Sequence, residues 1–171
     1  MEQYRFSTLE YQRPDLEARR AKLVEWKAAA QQAESYEALR ALIFEIDRES
    51  CALFTQYSIA HIRHTLDTRD EFYEAEIHYL QDTLPTLSGA EVALSEAIAS
   101  SPFRPDIEKE FGRQYFVAMD LQKKLFCEEN VPLRQQESRL TNEYQKIMAT
   151  AEIPFDGKTL NLYGLQKYFE H

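Results

Sequence analysis

Apolar residues recur at three- and four-residue steps along most of the chain, the spacing typical of amphipathic helices. Helix-start and helix-stop residues divide this pattern into five helices, the third of them kinked or split near Pro85. The five segments are Arg13 to about Ala33, 35–67, about Arg69 to Ser100, Arg104 onward with a weak point at Gly112, and Pro132 to about Ala151. The pattern predicts an all-α fold, an elongated antiparallel bundle of about five to six helices.

The final twenty residues follow a different pattern. Asp156-Gly157 separates two short runs that contain apolar residues, which predicts a β-hairpin whose type I′ turn needs positive φ at both central residues. Tyr163 to Glu170 is typical of the first turns of a helix. We therefore expect a helical domain over 1–151, followed over 152–171 by a short C-terminal β-hairpin and the start of a helix leading into a missing downstream region.

Three local features can be tested directly against the structure. Thr68 and Glu71 have the T-x-x-E spacing of a capping box, which predicts that a helix starts at about Arg69. Both cysteines, Cys51 and Cys127, lack metal-site spacing, and we expect them reduced, with one or both buried. In the last long helix the apolar residues are expected to point inward. They are Leu133, Leu140, Tyr144 and Ile147.

Net charge narrows the range of partners. The chain carries 29 acidic and 20 basic residues, a net charge of −9, whereas phosphate-binding surfaces need a basic face. Nucleic acid and anionic membrane surfaces are therefore not expected as partners. The first residues contain no apolar signal core, and no run approaches the roughly 18 apolar residues of a membrane span, so the expected compartment is the cytoplasm.

Three of the four histidines lie between Tyr57 and Leu80. His61 and His64 are three residues apart on one helix face and could share a metal with His78, Asp67 or Glu74 if the corner at Thr68 folds back. The alternative is that these histidines are partly buried and hydrogen-bonded at helix ends. No Glu-x-x-His pair of a di-iron bundle and no H-E-x-x-H motif of a zinc protease occurs in the 171 residues. We expect no metal and no cofactor in this chain.

The order of several segments resembles one family. The run SIAHIRHTLDTRDEFYEAE resembles the Arg-His-Thr-(Ile/Leu)-Asp-Thr…Asp-Glu-Phe-Tyr segment of oligoendopeptidase F and other thimet-type zinc oligopeptidases. Three further stretches support the resemblance along nearly the whole chain: FSTLEYQRPDLE, SPFRPDIEKEFGRQYF and EIPFDGKTLNLYGLQKYFE. These segments indicate lineage and carry no catalytic motif.

The resemblance implies the amino-terminal helical region of a longer zinc metallopeptidase. In that family this region forms one wall of a channel that admits short peptides, and the catalytic zinc belongs to a downstream region. This chain alone is then expected to be an inactive channel-wall and substrate-gating part of a hydrolase. The side chains that could face peptide are His61, Arg63, His64, Asp67 and Tyr73.

Two alternatives remain open. One is a stand-alone helical interaction or dimerisation module without peptidase activity, and the other is a metal-binding bundle that uses His61, His64 and His78. A part of a larger enzyme should leave apolar surface uncovered. Self-association through the hairpin edge or the terminal helix is therefore possible, beside the expected partners, which are the downstream catalytic region and short peptides.

Overall fold

The computed structural model describes residues 6–169, and these residues form an all-α bundle with a C-terminal β-hairpin, as predicted. The described elements are the helices α1 (Leu16–Gln31), α2 (Tyr36–Leu66), α3 (Glu71–Thr83), α4 (Ser88–Ala99), α5 (Arg104–Phe111), α6 (Arg113–Leu125), α7 (Asn130–Thr150) and α8 (Leu162–Gln166), and the strands β1 (Ile153–Phe155) and β2 (Lys158–Leu160). Two short 3₁₀ segments, Phe6–Thr8 and Leu84–Leu87, complete them.

Side-chain caps explain where the first two helices start. The Asp15 carboxylate accepts a hydrogen bond from the Ala18 amide at 2.9 Å, and the Ser35 hydroxyl accepts one from the Ala38 amide at 3.1 Å. Each cap satisfies a backbone donor that the first turn leaves without a partner. The second predicted helix, 35–67, is therefore capped at its expected start by Ser35, and α2 runs uninterrupted for 31 residues.

The corner between α2 and α3 differs from the predicted capping box. Asp70 rather than Thr68 is the N-cap, since its carboxylate accepts from the amides of Phe72 at 3.0 Å and Tyr73 at 3.2 Å. Asp67 ends α2 and accepts from the Arg69 amide at 3.1 Å. This turn takes up the residues after Asp67, so α3 starts at Glu71, later than the expected start at about Arg69.

Two breaks raise the number of helices above the expected five to six. A 3₁₀ segment with Pro85 in its first turn separates α3 from α4, because proline cannot continue the preceding hydrogen-bond ladder. Gly112, at φ 84°, separates α5 from α6. A side chain at that φ would be strained, so the predicted weak point is a complete break.

The hydrophobic core is formed by α1 to α6. Its fully buried side chains include Leu23, Leu39, Leu80, Ile107 and Phe116. Helix α1 packs against α4 and α2, α2 packs against α3, and α6 packs against α4 and α5. No residue of α7 or α8 is buried in the part of the chain that the structure describes.

The prediction that the apolar residues of the last long helix, α7, point inward is wrong. Its apolar side chains are largely exposed to solvent: Leu133 60%, Leu140 56%, Tyr144 62% and Ile147 67%. The physical reason is that α7 lies on α3 through its polar side chains, so the opposite, apolar side faces outward. The periodicity located the helix but not the direction of its apolar face.

The hairpin prediction is confirmed. Strands β1 and β2 pair antiparallel with Phe155 opposite Lys158, and the turn between them has φ 49° at Asp156 and φ 72° at Gly157. These positive values at both central residues are those of a type I′ turn. The hairpin leads into α8, whose N-cap Asn161 accepts from the Gly164 amide at 2.8 Å.

Both cysteines are free, as expected, but neither is buried. Cys51 lies on the solvent side of α2, and Cys127 lies in the exposed connection before α7. The Cys127 thiol donates to the Glu129 carboxylate at 2.6 Å, and this bond raises the pKa of the thiol. Within residues 6–169, none of the helices is long and apolar enough to span a membrane.

Candidate functional site

Arg63 and Tyr73, two of the predicted peptide-facing residues, contact each other across the α2–α3 corner. The Arg63 guanidinium donates to the Tyr73 hydroxyl and to the backbone carbonyl of Leu9, and its carbon lies 5.4 Å from the centre of the Tyr73 ring. Both side chains are partly buried. In this arrangement they hold the segment before α1 against the two helices.

Glu76 forms a buried polar cluster beside this contact. Its carboxylate is 2% exposed and accepts from the Tyr11 hydroxyl at 2.7 Å and from the Arg13 Nε at 2.9 and 3.0 Å. The hydrogen bond from Arg13 holds the pKa of the Glu76 carboxyl below its usual value, against the effect of burial. Burial, together with this carboxylate, raises the pKa of Tyr11. Sequence reasoning missed Glu76, because nothing in its helical position distinguishes it from the exposed acids nearby.

His64 lines a cavity of about 390 Å³ between α3 and α7. It is 9% exposed, and its Nδ1 has no hydrogen-bond partner among the described residues. Burial lowers the pKa of His64, an effect that the carboxylate of Glu74 opposes and that Lys146 reinforces. The other residues around this cavity are charged or polar: Glu74, His78, Asp82, Arg139, Asn142, Glu143 and Lys146.

The two remaining predicted residues are exposed. The His61 imidazole stacks on the Tyr57 ring, with the ring centres 5.9 Å apart and the planes inclined by 10°. Asp67 accepts from the backbone and the side chain of Arg69, and these bonds lower the pKa of its carboxyl. The structure thus brings Arg63 and Tyr73 together and places His61, His64 and Asp67 in separate surroundings.

The described residues do not fit a metal centre. Among residues 6–169, no group of three histidine, cysteine, aspartate or glutamate side chains has the geometry to hold a metal ion. Glu74, one of the candidate ligands, receives a hydrogen bond from Lys146 at 2.7 Å, which lowers the pKa of its carboxyl. This part of the chain offers no arrangement suited to the zinc chemistry that the resemblance implies for the longer enzymes.

A second concave surface lies outside the predicted residues. It is a groove of about 550 Å³ between the start of α1 and the middle of α2. Its lining combines the apolar side chains of Pro14 and Leu53 with the charged side chains of Arg13, Lys22 and Glu49. No sequence signal could locate the groove, since its two walls come from helices that meet only in the fold.

The fold and these surfaces define a class of protein, an all-α bundle with a C-terminal β-hairpin and no metal-binding group among its described residues. The sequence profile of the Peptidase M3 N-terminal domain matches residues 6–126. The chain therefore belongs to the M3 peptidase family, as its N-terminal domain. A comparison with curated proteins found no match.

Solved structures extend the similarity beyond the profile. PZ peptidase A, solved with an inhibitor, shares 33% sequence identity at a TM-score of 0.91 over 98% of this chain. A protein assigned as oligoendopeptidase F shares 32% sequence identity at a TM-score of 0.92 over 99% of this chain. Another protein with that assignment, from Bacillus anthracis strain Ames, shares 28% sequence identity at a TM-score of 0.86 over 91% of this chain. The chain spans only 29% to 30% of the length of these three proteins.

Proposed function

We propose that this chain is the non-catalytic N-terminal part of a zinc-dependent oligoendopeptidase that acts on short peptides. The observation that carries the proposal is the similarity to PZ peptidase A, which covers 98% of this chain and only 30% of that protein. The 171 residues contain no H-E-x-x-H motif, so zinc and catalysis are assigned to a region that the longer proteins have in addition.

The role proposed for this part is to form one wall of a channel that gates substrate. Helix α2 supports this role, because its 31 uninterrupted residues make a rigid element of about 46 Å. A wall of packed helices yields little to an incoming molecule, since protein interiors are packed at close to crystal density. An extended peptide can pass along such a wall, whereas a folded domain is too wide to enter the proposed channel.

The side chains proposed to meet peptide are those at the end of α2 and the start of α3. His61 and Asp67 are exposed and could contact substrate directly. Arg63 and Tyr73 would act by keeping this corner in shape, because each already has a partner in the fold. His64 is buried under α7 and would influence substrate through that helix.

A chimera tests this function. We would replace the matched segment of PZ peptidase A with this chain and assay zinc-dependent cleavage of short fluorogenic peptides and of a folded protein. We expect the chimera to cleave the peptides and spare the folded protein, and the 171-residue chain alone with zinc to cleave neither. Chelator-sensitive cleavage by the chain alone would contradict the proposal.

Within the active chimera, His61→Ala is expected to raise KM for peptides without lowering the melting temperature, because the imidazole is exposed. The matched control is Gln145→Ala on α7, where the side chain is also exposed. Equal KM values for both variants would remove His61 from the proposed substrate contacts.

The exposed apolar side of α7 favours a second function, a stand-alone interaction or dimerisation module. Sedimentation of the purified chain distinguishes the two. A stable dimer without any complementation of the chimera supports the module, and a monomer that complements supports the peptidase part. For either function the proposed compartment is the cytoplasm, which agrees with two free cysteines in a reducing environment.

A further inference from the structure

Helix α7 is amphipathic in the reverse sense, with its polar side on the bundle and its apolar side in solvent. Four side chains of α7 form hydrogen bonds or ion pairs with α3. We call them the polar seam: Gln135, Arg139, Asn142 and Lys146. Arg139 Nε donates to the Asp82 carboxylate at 3.0 Å, and Lys146 Nζ donates to Glu74 at 2.7 Å. The Asn142 and Gln81 amides bond each other, and the Gln135 amide donates to the Asp82 carbonyl.

The apolar stripe of α7, defined as Leu133, Leu140, Tyr144 and Ile147, lies on the other side. With 3.6 residues per turn, the centre of the stripe is about 140° from the centre of the polar seam. These side chains are 56% to 67% exposed, and three of them line a shallow groove of about 530 Å³. Four large apolar side chains at helical spacing are typical of a helix face that packs against protein.

Exposed apolar side chains also occur after α7 in the chain. Helix α8 contacts α7 and β2, and its Tyr163 is 58% exposed. Phe155 in β1 is 44% exposed, and a two-stranded hairpin of this kind is marginal without further packing. Exposed apolar side chains are therefore present on α7, in the hairpin and on α8.

Charge argues against a second copy of this chain as the cover. Glu137 and Glu143 are exposed and border the stripe on its two sides. In a two-fold contact each border meets either its own copy or the other border, and both are acidic, so acidic side chains would face acidic side chains between molecules of net charge −9. The stripe instead fits an apolar surface whose edges carry lysine or arginine.

The greater length of the solved relatives indicates where such an apolar surface with basic edges would come from. The solved relatives share this part of the fold over 98% and 99% of this chain, yet the matched part is only 30% of their length. The sequence profile stops at residue 126, so α7 and the hairpin lie outside the domain that it defines but inside the structural match.

We propose that the apolar stripe of α7 is the face on which the remaining, catalytic part of an M3-type peptidase chain docks, through an apolar surface with basic edges. This inference rests on the proposed function. In the docked state α7 has protein on both sides, with the polar seam against α3 and the apolar stripe against the catalytic part.

The experiment compares Leu140→Glu in the free 171-residue chain and in the chimera with PZ peptidase A. Trypsin sites at Arg134, Arg139 and Lys146 report whether α7 is covered. We expect cleavage within α7 to be at least roughly tenfold slower in the chimera than in the free chain, because packing on both sides suppresses local opening. Leu140→Glu should abolish this protection and lower the melting temperature of the chimera by about 3 °C or more.

Gln145→Glu is the matched control, since it adds the same charge at an exposed position of α7 outside the stripe. It should leave both readouts unchanged, and Leu140→Glu should leave the melting temperature of the free chain unchanged. Equal protection of α7 in the chimera with and without Leu140→Glu would overturn the proposal. So would a concentration-dependent dimer of the free chain that Leu140→Glu dissociates, or a chimera that does not fold.

The outcomes separate this inference from the proposed function. A folded chimera that protects α7 but cleaves no peptide refutes the peptidase function and supports the docking face. A chimera that cleaves peptides, and in which Leu140→Glu changes neither the protection of α7 nor the melting temperature, supports the function and refutes the docking face.

Discussion

Helix α3 contacts two regions that are held by opposite physical means. On one side Ile77 and Leu80 are fully buried in the core, and Glu76 is buried among hydrogen-bond donors from the segment before α1. On the other side α3 meets α7 through polar groups: Glu74 and Asp82 pair with partly exposed Lys146 and Arg139, and the Gln81 and Asn142 amides bond each other. The first region is cohesive because water is excluded from it.

The contrast shows that a regular helix need not be a firmly attached one. Burying a leucine stabilises a fold by about 1.5–3 kcal/mol, whereas an exposed ion pair contributes roughly 0–1 kcal/mol. Helix α7 has no buried residue, and the contacts described for it are ion pairs and hydrogen bonds between polar groups, while a large apolar surface faces solvent. Its attachment in the free chain should therefore be weak and should increase strongly when its apolar stripe is covered.

The largest expected effect comes from the same substitution made in each region. Leu80→Ala in α3 removes a side chain that is 0% exposed and should cost about 2–5 kcal/mol of unfolding free energy. Leu140→Ala in α7 removes a side chain that is 56% exposed and should change the unfolding free energy by less than about 0.5 kcal/mol. Urea denaturation of the free chain measures both values. Similar losses for the two variants would mean that the stripe is already covered in solution.

A smaller difference is expected between the polar contacts of the two regions. Glu76→Gln weakens charge-assisted hydrogen bonds at a buried carboxylate and should cost about 1–3 kcal/mol. Arg139→Gln breaks an ion pair whose side chains are 62% and 39% exposed and should cost less than about 1 kcal/mol. Glu25→Gln, at an exposed position of α1, controls for the loss of an acid. If Arg139→Gln proved the more costly of the two, the polar seam would be the stronger attachment.

The smallest effect is a pH dependence at the boundary between the regions. Burial lowers the pKa of His64 from its ordinary 6.5, so the unfolded chain binds this proton at higher pH than the folded chain does. The contribution of neutral His64 is therefore complete above pH 6.5 and is lost as the pH falls toward the lower pKa of the folded state.

The charged groups around His64 set the window for this measurement. His61 on α2, His78 on α3 and Lys146 on α7 favour the neutral imidazole, and Glu74 opposes them. The pKa of Glu74 is itself lowered from 4.5, so its own contribution changes at lower pH. Stability measured between pH 6.5 and about pH 5 should fall less steeply for His64→Gln than for the unsubstituted chain or for His61→Gln. Identical slopes for all three proteins would show that His64 is not the group responsible.

Local rules in the sequence were sufficient for much of the architecture. Ser35 begins α2, Pro85 and Gly112 interrupt the helices, and Asp156-Gly157 forms the type I′ turn, because each acts through the backbone of its immediate neighbours. The family resemblance, stated from short segments, is confirmed by the sequence profile over residues 6–126. The exception among the local rules is Thr68, where the carboxylate of Asp70 two residues later takes the capping position.

Only the tertiary structure decided which side of each helix is covered. The periodicity of Leu133, Leu140, Tyr144 and Ile147 predicts a helix with one apolar face, but a period does not say what that face meets. The buried state of Glu76 and the position of His64 under α7 likewise depend on residues about 60 to 80 positions away in sequence, Arg13 and Lys146. Helix formation is settled by contacts within a few residues, whereas burial is settled by what another part of the chain, or another chain, places opposite.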